Sequence, residues 1–134
     1  MATRCYIGMK QEDGNIKYIY CHNDGYLSGV GETLQFYYNE EKKVSRLIGI
    51  GNISVLGERI DEVFAFGELA KIFNPKSTFL KNKFGIDNCF LNTFGMVSYV
   101  YLFKDKKWFV NSSSWENELD FVYLSEAIKC PNLY

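Results

Sequence analysis

Two segments near the start of the chain show the alternation of apolar and polar positions that is typical of β-strands. In residues 3–9, the apolar side chains of Cys5, Ile7 and Met9 fall on one face. Residues 16–22 have a similar composition, and Asp13-Gly14 stands between the two segments. Because glycine adopts positive φ without steric cost, Asp-Gly is a strong turn signal. The pattern predicts an N-terminal β-hairpin.

A second hairpin is predicted near the end of the chain. Residues 97–103 are rich in aromatic and β-branched side chains, which favour strands. The charged residues 104–107 follow as a turn, and residues 108–110 form the returning strand. Residues 121–129 are typical either of a last strand or of a short helix.

Two stretches between the hairpins have helical spacing. The first covers about residues 30–39, with Ser28 as its expected N-cap. The second begins after Asn39, another expected cap, and ends at Gly49. Its apolar stripe consists of Val44, Leu47 and Ile48. Residues 50–70 fit either a strand or a helix.

These elements predict an α+β fold. We expect one domain over residues 1–134, because the chain has no low-complexity linker and its length is typical of a single domain. The two hairpins would form an antiparallel β-sheet, and the two short helices would pack on one face of it.

Composition narrows the function classes. Apolar residues make up 47% of the chain and charged residues 23%, which excludes a disordered protein. The net charge of −1 gives no global basic field that would attract nucleic acid. Aromatic residues reach 17%, more than a core of this size readily buries, so we expect exposed rings at a partner surface. The rings that we assign to binding are Tyr99, Tyr101, Trp108 and Trp115.

The cysteines and the apolar runs indicate a cytoplasmic protein. No apolar run is long enough for a signal peptide or a membrane span, so we expect no membrane contact. The four cysteines are scattered without a CxxC motif, and we expect free thiols. Cys5 and Cys21 are expected to lie near each other on paired strands.

The lone histidine, His22, is the residue through which nucleophile–base catalysis would have to operate. Adjacent side chains on a strand point to opposite faces, so Cys21 and His22 should not form a catalytic pair. We interpret His22 as a structural group at the strand end, with a binding role as the alternative. We assign no catalytic residue, metal ligand or cofactor.

A glycine-rich loop follows His22 and opens the first helix. Free amides at a helix start can hold an anion, although the loop matches neither the Walker nor the dinucleotide pattern. A tight strand-to-helix turn is the alternative explanation for Gly29 and Gly31. If the loop binds a ligand, His22, Asp24 and Tyr26 complete the candidate site.

Residues 71–84 contain four lysines and three phenylalanines but no acidic residue. The candidate binding residues in this segment are Lys76, Phe79, Lys81 and Lys83. The pattern fits a solvated loop anchored by its rings, a protein contact, or a path along a nucleic-acid backbone. Nucleic acid stays an open alternative, although the dominance of lysine over arginine argues against specific readout of bases.

Two motifs near the N-terminus occur together in a known family. They are Thr3-Arg4-x-x-Ile7-Gly8 and Tyr20-Cys21-His22-Asn23-Asp24-Gly25-Tyr26. With these motifs and the later aromatic hairpin, residues 3–56 and 97–111 resemble a family of small accessory proteins of bacteriophages and prophages. Residues 57–96 depart from the family pattern, and we interpret them as a family-divergent insertion.

The resemblance implies a phage or prophage accessory protein that works in the host cytoplasm. Small phage proteins of this kind often block host defence, so we expect an anti-CRISPR-like inhibitor, not an enzyme, that binds a bacterial effector protein stoichiometrically. The alternative hypothesis is a nucleotide or small-molecule binder, such as a sponge for signalling nucleotides, that uses the loop at residues 22–33. A homodimer is compatible with both hypotheses.

Overall fold

A computed structural model describes residues 3–65, 67–73, 97–112 and 121–129. These residues form an α+β fold around one mixed sheet of eight strands. The strands are β1 (Cys5–Lys10), β2 (Ile16–Cys21), β3 (Ile53–Val55), β4 (Phe64–Ala65), β5 (Lys71–Phe73), β6 (Tyr99–Lys104), β7 (Lys107–Ser112) and β8 (Val122–Tyr123). Their order across the sheet is β4-β3-β2-β1-β6-β7-β8, and β5 pairs with β2.

The predicted N-terminal hairpin is confirmed. β1 and β2 pair antiparallel, with Cys5 opposite Cys21 and Lys10 opposite Ile16. The Asp13 carboxylate accepts a 2.9 Å hydrogen bond from the Asn15 amide, and Gly14 has a φ of +89°. The turn therefore uses the positive φ that glycine tolerates.

The predicted C-terminal hairpin is confirmed as well. β6 and β7 pair antiparallel along their whole length. Asp105 and Lys106 join them, and both have positive φ, 53° and 64°. Two successive positive φ angles match the right-handed twist of the flanking strands.

The two hairpins meet through a parallel pair, which corrects the expectation of an antiparallel sheet. β1 lies beside β6 with Cys5 opposite Tyr99 and Met9 opposite Phe103. On the other side, β2 pairs antiparallel with β5 near its start and parallel with β3 at Cys21. Pairing between strands far apart in sequence leaves no mark on local alternation, so the pattern could not reveal its direction.

The helical region differs in detail from the prediction. A π-helical turn at Leu27–Gly31 precedes α1 (Glu32–Tyr37), α2 spans Glu41–Ile50, and α3 spans Leu124–Lys129. No side chain caps the π turn, α1 or α2, so Ser28 and Asn39 are not the N-caps that the sequence suggested. The Asn39 amide instead donates to the Phe36 carbonyl at the end of α1.

α2 ends one residue later than predicted, at Ile50. Gly49 lies within the helix, and Gly51 follows its last residue with a φ of +93°. A residue in this conformation ends a helix, and glycine adopts it without strain. The predicted apolar stripe of Val44, Leu47 and Ile48 is confirmed as the buried face of α2.

The two ambiguous segments each contain more than one element. Residues 53–73 form three short strands, β3, β4 and β5, and a 3₁₀ turn at Ile60–Glu62. Residues 121–129 contain both alternatives, since β8 leads directly into α3.

Both faces of the sheet are buried. The helix-covered face includes Cys5, Ile7 and Met9 of β1, which form one core cluster with the apolar side chains of the three helices. The second face forms a separate cluster of Ile16, Tyr18, Val97, Val100, Leu102, Phe109 and Phe121. Along the central strands, side chains that point to either face of the sheet are therefore buried.

Candidate functional site

The loop after β2 is held against the start of β1. The Gly25 amide donates to the Thr3 carbonyl at 2.8 Å, and the Val30 amide donates to the Asp24 carbonyl at 2.8 Å. Asp24 sits at a φ of +59°, a conformation that aspartate tolerates better than most residues. These bonds fold the loop back on itself before the π turn begins.

The backbone amides at the start of the helical region already donate hydrogen bonds to carbonyls of the loop. Gly29 and Gly31 donate to the Tyr26 carbonyl at 3.0 and 3.3 Å, beside the Val30 bond to Asp24. An anion at this turn would have to displace these bonds. The geometry therefore supports the explanation of a tight strand-to-helix turn for these glycines.

Close packing explains why glycines occupy the loop. A Cβ atom at Gly29 would overlap the carbonyl oxygen of Asp24. A Cβ atom at Gly31 would lie 3.2 Å from the Tyr101 hydroxyl oxygen. A Cβ atom at Gly25 would lie only 2.9 Å from the carbonyl oxygen of Thr3. The glycines thus let the loop lie directly on the strands beneath it.

His22 lies just past the end of β2 and is half-buried. Its Nδ1 atom is 2.9 Å from the Tyr20 hydroxyl, two residues earlier on the same side of the strand. Cys21 is fully buried on the helix-covered face, and its thiol donates to the Asn23 carbonyl at 3.4 Å. The side chains of Cys21 and His22 therefore point apart, as the sequence predicted.

Tyr26 is the exposed ring of the loop, with 40% of its surface accessible. Its hydroxyl donates a 3.2 Å hydrogen bond to the Asp24 carboxylate. This bond and the negative charge of Asp24 raise the pKa of Tyr26. Asp24 and Tyr26 are thus brought together, and their binding role stays a prediction.

Two rings assigned to partner binding are buried, which corrects that assignment. Tyr101 is fully enclosed, and its hydroxyl donates to the Gly25 carbonyl at 2.7 Å. Trp108 is 4% exposed, and its indole N–H donates to the Tyr38 carbonyl at 2.8 Å. Tyr99 is half-buried and stacks on Tyr101 with ring centroids 6.1 Å apart. Helices cover this face of the sheet, so its rings serve as core.

Five candidate binding residues lie outside the described residues. They are Lys76, Phe79, Lys81, Lys83 and Trp115. Their assignment to protein or nucleic-acid contact stays a prediction from the sequence.

Cys5 and Cys21 face each other across the hairpin, and both are free thiols. The sequence predicted this proximity, and the structure confirms it. Burial raises the pKa of the Cys5 thiol well above its usual value. Both side chains are fully enclosed, which is typical of structural cysteines rather than reactive ones.

Four large apolar side chains on β3, β4, β5 and the segment between β4 and β5 are exposed, and we call them the apolar edge. Its residues and exposed fractions are Val55 (36%), Phe64 (66%), Leu69 (76%) and Ile72 (67%). Val55 and Phe64 are direct cross-strand partners. Sequence reasoning missed this surface because residues 50–70 had no clear period. The only signal was the apolar run around Phe64.

An acidic groove of about 840 Å³ lies between the β1–β2 turn and the start of α2. Glu12 and Asp13 line one side, and Glu40 and Glu41 line the other, together with Lys10 and Lys42. Within the described ranges, no group of three or more histidine, cysteine or acidic residues has the geometry to hold a metal ion. The groove is lined by charges of both signs, with the acidic residues in excess.

The helices of the described segments are all too short or too polar to cross a membrane. A comparison of the chain with protein-family models, with curated proteins and with solved structures gave no match.

Proposed function

We propose that this protein acts by stoichiometric binding to another protein, and that the apolar edge is its contact surface. The observation that carries the proposal is the exposure of Phe64, Leu69 and Ile72, each with about two thirds or more of its surface in water. A set of large apolar side chains grouped on a surface is typical of a protein-interaction site.

The backbone of this edge supports the same proposal. β4 is the last strand of the sheet on this side among the described residues, so its outer side offers amides and carbonyls to a partner strand. Edge strands commonly bind partners by strand addition, in which backbone bonds give affinity and apolar side chains give specificity.

The biological setting that we propose is inhibition of a bacterial defence system by a phage or prophage accessory protein, in the manner of an anti-CRISPR. Its support is the resemblance of the Thr-Arg strand and the Tyr-Cys-His-Asn-Asp-Gly-Tyr segment to that family. The effector protein is the partner, and binding rather than turnover is the mode of action. The host cytoplasm is the proposed location.

An interference assay tests the setting. The chain is expressed in bacteria whose CRISPR effector cleaves an incoming plasmid, and transformation is counted. We expect the chain to raise transformation at least about tenfold over empty vector, because effector that is bound by the inhibitor no longer cleaves the plasmid. Unchanged interference across DNA-cleaving effector complexes would contradict the anti-CRISPR function.

A pair of matched variants tests the surface. Phe64→Asp places a charge on the apolar edge, and we expect it to weaken co-elution with the purified effector by at least about tenfold. Phe36→Asp is the control, because Phe36 is 57% exposed on α1, and α1 packs against α3 at the opposite end of the sheet. Equal binding by both variants would show that the contact lies elsewhere.

A nucleotide panel tests the alternative. We expect melting curves to be unchanged by mono-, di- and cyclic nucleotides. The backbone amides of Gly29, Val30 and Gly31 already donate hydrogen bonds within the loop. A stabilisation that disappears in His22→Ala would favour the nucleotide hypothesis instead.

A further inference from the structure

One row of side chains crosses four strands on the second face of the sheet. Tyr20 of β2 lies opposite Tyr6 of β1, Tyr6 lies opposite Val100 of β6, and Val100 lies opposite Asn111 of β7. Arg4 precedes Tyr6 by two residues and His22 follows Tyr20 by two, so both belong to the next row on the same face. We call Arg4, Tyr6, Tyr20, His22 and Asn111 the Arg4–Asn111 cluster.

Asn111 is a fully buried amide with unused donors. Its Oδ1 accepts a 2.7 Å hydrogen bond from the Ser112 amide, which fixes the orientation of the side chain. Its Nδ2 is buried and has no hydrogen-bond partner among the described residues. A buried polar group without a partner costs folding free energy, on the order of 1–3 kcal/mol. Asn111 therefore needs an acceptor beyond those that the described chain supplies.

Arg4 presents a second donor of the same kind. It is half-buried, and its Nε is enclosed without a hydrogen-bond partner in the described segments. No carboxylate of the described ranges forms an ion pair with it. Arginine has five N–H donors and no acceptor, so only an acceptor can satisfy it.

Among the residues that the structure describes, Arg4 acts on a tyrosine hydroxyl and has no carboxylate in an ion pair with it. Burial raises the pKa of the Tyr20 hydroxyl, and the positive charge of Arg4 opposes that rise, so the guanidinium acts on this hydroxyl. Tyr20 is bonded to His22, and the Tyr6 ring packs edge-on against Tyr20 with centroids 6.1 Å apart. The cluster thus combines a cation, hydroxyls and an amide beside aromatic rings, and it contains no acid.

We propose that the Arg4–Asn111 cluster binds an oxyanion, a carboxylate or phosphate group carried by a small ligand. Arg4 supplies charge and a planar set of donors that matches either group, and Asn111 supplies a buried N–H₂. Arg4 and Asn111 belong to the same face of the sheet, where β6 separates β1 from β7 by two strand spacings, about 10 Å. This site is independent of the apolar edge and of the protein partner.

Side-chain resonances test the site directly. ¹H–¹⁵N spectra follow the Arg4 Nε–H and Asn111 Nδ2–H₂ signals during titration with sodium phosphate, sodium acetate and, as the ionic-strength control, sodium chloride. We expect both signals to shift saturably with phosphate or acetate and not with chloride. Saturation by phosphate alone identifies a tetrahedral group, and saturation by acetate alone a planar one. Shifts that follow chloride, or that leave Arg4 unaffected, overturn the proposal.

Variants separate this site from other cations. Arg4→Gln is expected to lower the affinity for the anion at least about tenfold, since one charge-assisted hydrogen bond is lost. Arg59→Gln is the control, because Arg59 is a surface guanidinium that pairs with Asp61 at 2.9 Å. It removes the same charge and should leave the affinity unchanged. Affinity that survives Arg4→Gln, or that is lost only in Arg59→Gln, shows an adventitious surface ion and overturns the proposal.

Discussion

The Tyr101 hydroxyl donates a 2.7 Å hydrogen bond to the backbone carbonyl of Gly25, 76 residues earlier in the chain. This buried contact ties β6 to the loop that follows β2. Because Tyr101 is fully enclosed, its ring also fills the space beneath Gly31. The shape of the loop therefore depends on one aromatic side chain from the distant hairpin.

Removing that hydroxyl should destabilise the fold. Tyr101→Phe leaves the Gly25 carbonyl buried without this donor, so we expect the free energy of unfolding to fall by about 1–3 kcal/mol. Urea denaturation measures the change. Tyr37→Phe, at a ring that is 46% exposed, is the control and should change stability by less than about 0.5 kcal/mol. Equal stability of Tyr101→Phe and the wild type would contradict the importance of this bond.

Two glycines, one in the loop and one in α2, predict opposite changes in stability on substitution by alanine. Gly29→Ala forces a methyl group into the Asp24 carbonyl, and we expect a loss of more than about 2 kcal/mol. Gly49→Ala lies in α2 with nothing within 4 Å of the new methyl, so the higher helix propensity of alanine should add up to about 1 kcal/mol. Melting temperatures that move in the same direction for both variants would be inconsistent with this packing.

Two buried tyrosines predict a loss of stability at high pH. Burial raises the pKa of Tyr18 and of Tyr38 from 10.0 to about 12, with further contributions from Tyr6 and Glu62 respectively. Between pH 10 and 12, the unfolded chain has released these protons while the folded protein still holds them. Stability is therefore complete below pH 10 and falls as pH rises, by at most about 1.4 kcal/mol per pH unit for each group.

Denaturation at a series of pH values tests this dependence. Tyr18→Phe removes one of the two groups, so its free energy of unfolding should fall less steeply than that of the wild type from pH 10 upward. The difference between the two proteins should be constant below pH 9. Parallel curves through the whole range would show that Tyr18 does not contribute.

The thiol pair predicts protection from alkylation. Cys5 and Cys21 are fully buried, and the raised pKa of Cys5 disfavours its thiolate, which is the reactive form. We expect iodoacetamide at pH 8 to modify both positions about 100-fold more slowly in the native protein than in urea. Mass spectrometry of the peptides reports each site. Rapid native modification of Cys5 would mean that the hairpin opens readily.

Local signals in the sequence were sufficient for the hairpins and for α2. Asp13-Gly14 predicts a turn because the chemistry of the turn lies within neighbouring residues, and the stripe of Val44, Leu47 and Ile48 predicts a buried helix face for the same reason. The proximity of Cys5 and Cys21 was predicted from the pairing of the two strands of the hairpin. Each of these predictions depends on residues that are close in the chain.

Long-range features were beyond the sequence. The parallel pairing of β1 with β6 joins residues about 94 positions apart, and alternation carries no information on its direction. Tyr101 and Trp108 were expected to be exposed because the aromatic surplus does not reveal which rings the helices cover. The apolar edge and the Arg4–Asn111 cluster also arise from strands that only the fold brings together.

The parallel pair between β1 and β6 fixes the order in which the strands can pair while the chain is being synthesised. β1 and β2 can join as soon as the first hairpin leaves the ribosome, but the other side of β1 waits for residues 99–103. During that interval the central strand of the future sheet has one open side, which other chains could join. A nascent chain stalled before residue 97 should therefore be prone to aggregation, and completion of the second hairpin should end that vulnerability.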